Sequence, residues 1–157
     1  MQVNTPLSLA QLRTQLRQKR RSLTPNQQAQ AAQNLYRQLA QHPLFLRAQH
    51  IALYLAGDGE IDPQWIMREA WRRGKCVYLP VLPCWPKTAM AFQRVRPVQT
   101  WEKNRFGILQ PRWYVADQRP VWALAAGLLP LVGFDPAGGR LGMGAGFYDR
   151  ILAKSAK

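Results

Sequence analysis

Two short apolar segments on either side of one amphipathic stretch constrain the fold of this chain more than any other feature of its sequence. The segments are HIALYLA (50–56) and KCVYLPVL (75–82), and both have the length and composition of buried strands. Between them, the apolar residues of PQWIMREAWRRG (63–74) recur at helical spacing, and Gly74 is suited to end the helix. A strand, a helix and a strand over this distance predict a βαβ unit, with parallel strands and a right-handed crossover.

Two helices are predicted before this unit. Leucines at helical spacing indicate an amphipathic helix over 8–21, and TPNQ (24–27) combines an N-cap, a first-turn proline and a capping-box glutamine. We expect this second helix to run to about residue 41 and to stop at His42–Pro43. Basic side chains on the first helix are expected to form a solvated face: Arg17, Arg20 and Arg21.

The second half of the chain has weaker periodicity. A further strand is predicted at 89–95, after a turn that allows antiparallel pairing, and residues 96–120 are predicted to be loop with short elements. Residues 121–135 are expected to end in a central strand that runs into a glycine-rich stretch, with a last helix opening at 146. Together these elements predict one domain over 1–157, a three-layer α/β open sandwich with a mostly parallel central sheet.

The amino-acid composition indicates that a binding partner would be negatively charged, but it does not indicate which class of molecule the partner is. The 157 residues include 22 Lys+Arg and 8 Asp+Glu, for a formal net charge of +14. Such a field attracts nucleic acid, but the basic residues are dispersed, and nucleotides or other small anions fit equally. No apolar run is long enough to span a bilayer and the N-terminus has no signal-peptide core, so we expect a cytoplasmic protein with no membrane contact. Cys76 and Cys84 are the only cysteines, and we expect both to be reduced thiols.

GGRLGMGAGFYDR (138–150) combines glycines, arginines, aromatic residues and an aspartate in one short stretch. Glycines between a strand and a helix start let backbone N–H groups approach a phosphate, and Arg140 adds a planar, doubly donating group. Asp149, just inside the helix, is placed to hold Mg²⁺. The stretch is neither a Walker A loop nor a dinucleotide fingerprint. A tight structural turn and a nucleotide site therefore both remain open.

The longer run PLVGFDPAGGRLGMGAGFYDRIL resembles the signature of the 5-formyltetrahydrofolate cyclo-ligase family. The likeness continues, in the same order as in the family, through LRQKRRSLTPNQQ, IALYLAGDGEID, GKCVYLPVL and NRFGILQP. It implies an open α/β sandwich that closes the ring of 5-formyltetrahydrofolate to 5,10-methenyltetrahydrofolate, with ATP converted to ADP and phosphate. We expect a monomer that acts on these small molecules.

The resemblance also implies roles for particular residues. Leu55 and Glu60 match positions that hold the folate, and Asp149 matches the Mg²⁺ ligand. No catalytic residue is implied, because the formyl oxygen attacks the γ-phosphate and N10 then closes the ring. The positions that match ATP contacts are Arg13, Arg140, Leu141, Gly142, Met143, Gly144, Ala145, Gly146, Phe147 and Tyr148.

The sequence departs from the family pattern at three places. Leu9 stands where the first helix usually has a basic residue, and Ala145 stands where some members have one. Family domains continue beyond YDRIL, so we expect a C-terminally truncated member that lacks the final strands and has impaired or absent catalysis. A basic nucleic-acid-binding module and an inactive folate-binding remnant are the alternatives. The first would lose affinity steeply with salt, and the second would bind folate without turnover.

Overall fold

The computed structural model describes residues 7–153, which fold into helices and short strands around one central sheet. The helices are α1 (Leu9–Arg21), α2 (Pro25–Leu39), α3 (Pro43–Arg47), α4 (Gln64–Arg72) and α5 (Phe147–Ala153). The strands are β1 (His50–Ala52), β2 (Cys76–Val81), β3 (Ala91–Val95), β4 (Trp101–Lys103), β5 (Leu109–Pro111), β6 (Gln118–Arg119), β7 (Ala126–Gly127), β8 (Gly133–Phe134) and β9 (Arg140–Leu141). Single 3₁₀ turns occupy Val115–Asp117 and Val121–Ala123.

The predicted βαβ unit is confirmed. β1 and β2 are parallel, with Ile51 opposite Val77, and α4 forms the crossover between them. The backbone of Gly74 has φ +71°, the left-handed conformation that ends a helix and that glycine adopts without strain. Regular pairing in β1 ends earlier than predicted, at Ala52, although the N–H of Leu53 still donates to the carbonyl of Tyr78 at 2.8 Å.

The five-stranded sheet is mostly parallel, as predicted. Its strand order is β6-β3-β2-β1-β7, and β1 is parallel to both β2 and β7. β3 is antiparallel to β2 and to β6, so it is the one reversed strand of this sheet. The prediction of a strand at 89–95 that pairs in the antiparallel sense is therefore confirmed.

Helices cover both faces of the sheet. On one face, α2, α3 and α4 contribute to a core of buried apolar residues around Leu53, Ile66 and Leu79. On the other face, Tyr148 and Ile151 of α5 pack against Ala52, Tyr78 and Phe92. Helices on both faces of a mostly parallel sheet are the predicted three-layer arrangement, and α5 carries the chain from the glycine-rich stretch directly onto the sheet.

The two N-terminal helices start where the sequence predicts. The side-chain oxygens of Ser8 and Thr24 each accept a hydrogen bond from the backbone N–H three residues later. In return, the side-chain oxygens of Gln11 and Gln27 accept from the backbone N–H groups of Ser8 and Thr24, which completes two capping boxes. α2 ends at Leu39, slightly earlier than expected. In residues 7–153, none of the helices combines the length and the apolar character that crossing a membrane requires.

The predicted central strand at the end of 121–135 is wrong in its position. The sheet takes only Ala126 and Gly127, whereas Gly133–Phe134 pairs with Arg140–Leu141 in a separate hairpin. Pro130 lies between the two segments and has no N–H to contribute to a ladder. The hairpin turn is closed by Asp135, whose carboxylate accepts from the N–H of Gly139 at 2.8 Å. The glycine-rich stretch is thus entered from a hairpin and not from a sheet strand.

Candidate active site

A cavity of about 460 Å³ lies beside the glycine-rich stretch. One part of its lining is the loop that leads from β9 into α5, and other parts are the segment after β1, the end of β2, and β5 with the turn before it. Of the predicted ATP-binding positions, Arg140 and every residue from 142 to 148 line this cavity, as does Asp149. Leu141 belongs to the hairpin, where its carbonyl accepts from the N–H of Val132 at 2.7 Å.

The glycine loop (residues 142–146) depends on backbone conformations that favour glycine. Gly144 has φ +101° and Gly146 has φ +69°, both in the left-handed region. Arg13 supports this loop, because its Nε donates to the carbonyl of Gly142 at 2.9 Å. A Cβ added at Gly144 would lie 3.8 Å from the Arg13 guanidinium carbon, so α1 and the loop are in close contact.

Arg140 and Asp149 form an ion pair across the loop. The Arg140 side chain is largely buried, and it also donates to the carbonyl of Pro130 at 3.1 Å and stacks 5.7 Å from the ring centroid of Tyr148. The Asp149 side chain is 73% exposed. The chain therefore places one fixed guanidinium and one accessible carboxylate at the edge of the cavity.

The acidic residues suit a magnesium ion only if most of its ligands come from elsewhere. No group of three or more His, Cys, Asp or Glu that could hold a metal occurs between residues 7 and 153. Mg²⁺ usually takes one or two carboxylates and completes its shell with water and phosphate oxygens. Asp149 beside the glycine loop would fit that pattern if phosphates bound at the loop and brought the remaining oxygens.

Two tyrosines beside the cavity stay protonated at neutral pH. Burial raises the pKa of Tyr148 strongly, and it raises the pKa of Tyr54 to about 12, with the charge of Glu60 acting in the same direction in both cases. The Tyr54 hydroxyl donates to the carbonyl of Ile61 at 2.6 Å. Both rings therefore present neutral surfaces to the cavity, where they add shape without charge.

The two predicted folate positions have different surroundings. Leu55 lines the cavity, whereas Glu60 is held within its own turn: its Oε2 accepts from the N–H of Gly57 at 3.1 Å. Its other oxygen lies 3.7 Å from Arg20, and burial raises the pKa of the carboxyl. In the turn that leads into α4, the carboxylate of Asp62 accepts from the N–H of Gln64 at 2.9 Å.

The expectation of a solvated basic face on α1 is wrong for Arg20, whose side chain is 13% exposed, whereas Arg17 and Arg21 are 36% and 54% exposed although they are ion-paired. Arg17 and Arg20 donate to the Asp58 carboxylate at 2.9 and 2.8 Å, and Arg21 also binds it. Hydrogen bonds, that from Arg21 first, lower the pKa of Asp58 to about 2. Asp58 also has φ 53°, which places its carboxylate in a tight turn facing the helix. The acidic turn after β1 is thus an anchor for α1.

Sequence reasoning missed the apolar wall of the cavity. Phe106, Ile108 and Leu109 line it, although their exposed fractions are 58%, 58% and 52%. They come from the turn between β4 and β5, where Gly107 has φ +72°. The signal was present in NRFGILQP, which places three large apolar residues around a glycine without the periodicity of a buried element. Apolar side chains exposed on one cavity wall are typical of a ligand site.

Comparison with known proteins assigns the chain to a family. The sequence model of the 5-formyltetrahydrofolate cyclo-ligase family matches residues 8–157. The chain belongs to the 5-formyltetrahydrofolate cyclo-ligase family. It is 41% identical over 137 residues to a 5-formyltetrahydrofolate cyclo-ligase of Escherichia coli K12, covering 87% of this chain and 75% of that protein. The cyclo-ligase of Haemophilus influenzae is 42% identical over 146 residues, covering 90% and 76% of the two chains.

A solved structure confirms that the fold is that of the cyclo-ligase family. The NMR structure of a 5,10-methenyltetrahydrofolate synthetase from Aquifex aeolicus superposes with a TM-score of 0.80 at 26% identity. The superposition covers 94% of this chain and 73% of that one. The resemblance stated from the sequence is confirmed.

Proposed function

We propose that this protein catalyses the ATP- and Mg²⁺-dependent cyclisation of 5-formyltetrahydrofolate to 5,10-methenyltetrahydrofolate, with release of ADP and phosphate. One observation carries the proposal: a glycine loop flanked by arginines and an apolar aromatic wall line the same cavity. The first suits a triphosphate and the second suits the rings of a folate, so one cavity has features for both substrates. Membership in the cyclo-ligase family supports the same pairing.

The phosphate side of the proposed site consists of residues 140–148 and Arg13. The bare backbone of Gly142, Gly144 and Gly146 can approach phosphate oxygens closely, and Arg140 can donate two parallel hydrogen bonds. Arg13 holds the loop by its carbonyl contact at Gly142, and its remaining N–H groups are available to a phosphate. Mg²⁺, which we propose binds Asp149 and the phosphates, would neutralise charge on the transferred phosphoryl group.

The folate side of the proposed site is apolar. Leu55 and Phe106 line the cavity and can contact the flat rings of the substrate. We propose that Glu60 accepts hydrogen bonds from the pterin edge, as its counterpart positions in the family suggest. For this the carboxylate would use lone pairs beyond the one that accepts from Gly57.

The reaction needs positioning and charge stabilisation, and it needs no protein nucleophile. The formyl oxygen attacks the γ-phosphorus, and the bond to the ADP oxygen breaks. N10 then attacks the activated carbon and loses its proton, and the carbon–oxygen bond breaks to release phosphate. What the chain supplies is alignment of the two substrates and fixed positive charge near the leaving oxygens, from Arg140 and the glycine loop.

Binding and turnover of the full chain test the proposal. We expect calorimetry to detect ATP–Mg²⁺ and 5-formyltetrahydrofolate, and the absorbance of the methenyl product to report turnover. Arg140→Ala and Asp149→Ala should each weaken ATP–Mg²⁺ binding about tenfold or more, because each removes a charged group from the phosphate side. Arg37→Ala, which removes an exposed arginine from α2 on the other face of the sheet, is the matched control.

The possible outcomes separate the proposal from its alternatives. A wild-type chain that binds neither ligand would refute the proposed function. Folate binding without product, with or without ATP hydrolysis, would indicate a folate-binding remnant. Polyanion binding that falls steeply with salt and is insensitive to both substitutions would instead indicate a nucleic-acid-binding module.

A further inference from the structure

Two arginines pack against two phenylalanines that line the cavity, and we call this group the rim (Arg105, Phe106, Phe147 and Arg150). The Arg105 guanidinium carbon lies 4.9 Å from the ring centroid of Phe106 and 5.7 Å from that of Phe147. The Arg150 guanidinium carbon also lies close to Phe147, at 5.0 Å from its ring centroid. The two rings meet edge to face at 6.3 Å, and both line the cavity.

The rim arginines are held in place but not neutralised. Arg105 donates to the carbonyls of Pro83, at 3.1 Å, and Lys87, and Arg150 donates from Nε to the carbonyl of Thr88 at 3.3 Å. Within residues 7–153, neither guanidinium is part of an ion pair with a carboxylate. Each guanidinium has five N–H donors, so donors remain after these contacts.

The local backbone makes room for one of these charges. Gly146 has φ +69°, and a Cβ added there would lie only 2.9 Å from Nη1 of Arg150. The missing side chain thus lets the Arg150 guanidinium lie against the start of α5, beside the face of Phe147. Two exposed guanidinium groups thus lie on aromatic faces, held by backbone carbonyls and with no carboxylate partner among residues 7–153, and this arrangement suits an anion.

We propose that the rim is a carboxylate subsite, in which Arg105 and Arg150 bind the glutamate end of the folate substrate. The inference rests on the proposed function, because it takes its ligand from it. A reduced folate is elongated: a bicyclic pterin, a benzoyl ring and a glutamate with two carboxylates follow one another. If Leu55 beside β1 holds the ring end, a ligand that also reaches the β4–β5 turn brings its dianionic end toward the rim.

Guanidinium geometry favours this assignment. A planar guanidinium binds a carboxylate through two parallel N–H donors, and it retains its charge at any working pH. Two carboxylates on one glutamate match two guanidinium groups on one rim. The phosphates of ATP have proposed partners of their own in the glycine loop and Arg140. The rim therefore contributes affinity for the substrate that carries a glutamate.

Comparison of 5-formyltetrahydrofolate with 5-formyltetrahydropteroate, which lacks the glutamate, tests the subsite in the full chain. Calorimetry should show that the wild-type protein binds the folate about tenfold or more tightly than the pteroate. In Arg105→Gln/Arg150→Gln the folate should bind only as well as the pteroate, whose own affinity should stay unchanged. Arg105→Lys, which keeps the charge but not the paired donors, should lose only part of the preference.

The controls separate three failures. If the wild-type chain binds the two ligands within about threefold of each other, the subsite is refuted without any variant. If the double variant keeps the full preference, or weakens ATP instead of the folate, the assignment to carboxylates is wrong, while the proposed function stands. If the wild-type chain binds no folate at all, the proposed function fails first. Arg37→Gln, on α2, controls for the loss of an exposed positive charge.

Discussion

Asp58→Asn is the substitution that most directly tests how this chain positions its first helix. It keeps the size of the side chain and removes the one negative charge that Arg17, Arg20 and Arg21 share. Because α1 also carries Arg13, whose Nε donates to the carbonyl of Gly142, a shift of the helix would reach the glycine loop. We therefore expect two effects of the substitution, one on stability and one on ATP binding.

The structure sets the size of the effect on stability. A carboxyl whose pKa falls from 3.8 to about 2 on folding contributes at most about 2.5 kcal/mol at neutral pH. The Asp58 side chain is 25% exposed and that of Arg21 is 54% exposed, so solvent screening reduces the expected loss to about 1 kcal/mol. The pKa is lower in the folded state, so the contribution is complete above the unfolded pKa of 3.8 and is lost as the pH falls through about 2.

Denaturant unfolding of the wild-type protein and Asp58→Asn, at neutral pH and again across the acid range, measures this directly. The difference in unfolding free energy should be about 1 kcal/mol at neutral pH and should shrink in acid. The apparent Kd for ATP–Mg²⁺ should rise severalfold. Asp117→Asn is the control, because that carboxylate pairs with Arg96 outside the cavity and its loss should leave ATP binding unchanged. A difference that does not change with pH, or equal effects of both variants on ATP, would refute the reasoning.

Three other substitutions test separate parts of the structure. Gly144→Ala places a side chain on a backbone with φ +101°, which costs about 1 kcal/mol or more, and calorimetry should show weaker ATP–Mg²⁺ binding. Gly57→Ala is the control and should behave as wild type, because its φ is outside the left-handed range and the new Cβ would have no heavy atom within 4 Å. Phe106→Ala should raise the Kd for 5-formyltetrahydrofolate about tenfold by removing apolar contact, with the Kd for ATP unchanged. Hydrogen bonds from Arg72 and Arg73 lower the pKa of Glu69 to about 2, and Glu69→Gln removes the charge that both arginines share. We expect denaturant unfolding to show a loss of about 1–2 kcal/mol in the free energy of unfolding, with no change in the Kd for ATP or for the folate.

Local signals in the sequence predicted the helices well. The capping boxes at Ser8 and Thr24 and the left-handed Gly74 depend on residues within one turn of the chain, so their chemistry can be interpreted without the rest of the fold. Strand lengths and register depend on partners far away in sequence. Residues 121–135 were therefore predicted to end in a central strand, whereas Pro130 divides them between the sheet and the hairpin.

In the candidate site, too, features that depend on neighbouring residues were predicted, and features that depend on residues far apart in sequence were not. The glycine-rich stretch and Asp149 were predicted because glycine, arginine and aspartate occur together in one short run. The three arginines of α1 were assigned to solvent because Asp58, their partner, is more than 35 residues away from each of them, at separations of 41, 38 and 37. The apolar wall was missed for a similar reason, since Phe106 lines the cavity only because the β4–β5 turn packs against Phe147 of α5.

In a chain with a formal net charge of +14, the same contacts distinguish the arginines that stabilise the fold from those beside the cavity. On α1 and α4, arginines are paired with Asp58 and Glu69, and these charges stabilise the fold. Arg140 is paired with an exposed carboxylate that a metal could take over, which would release the guanidinium toward a phosphate. The rim arginines have only carbonyl partners among the described residues. Arg105 and Arg150 thus leave positive charge beside the cavity, where an anion small enough to enter it could bind.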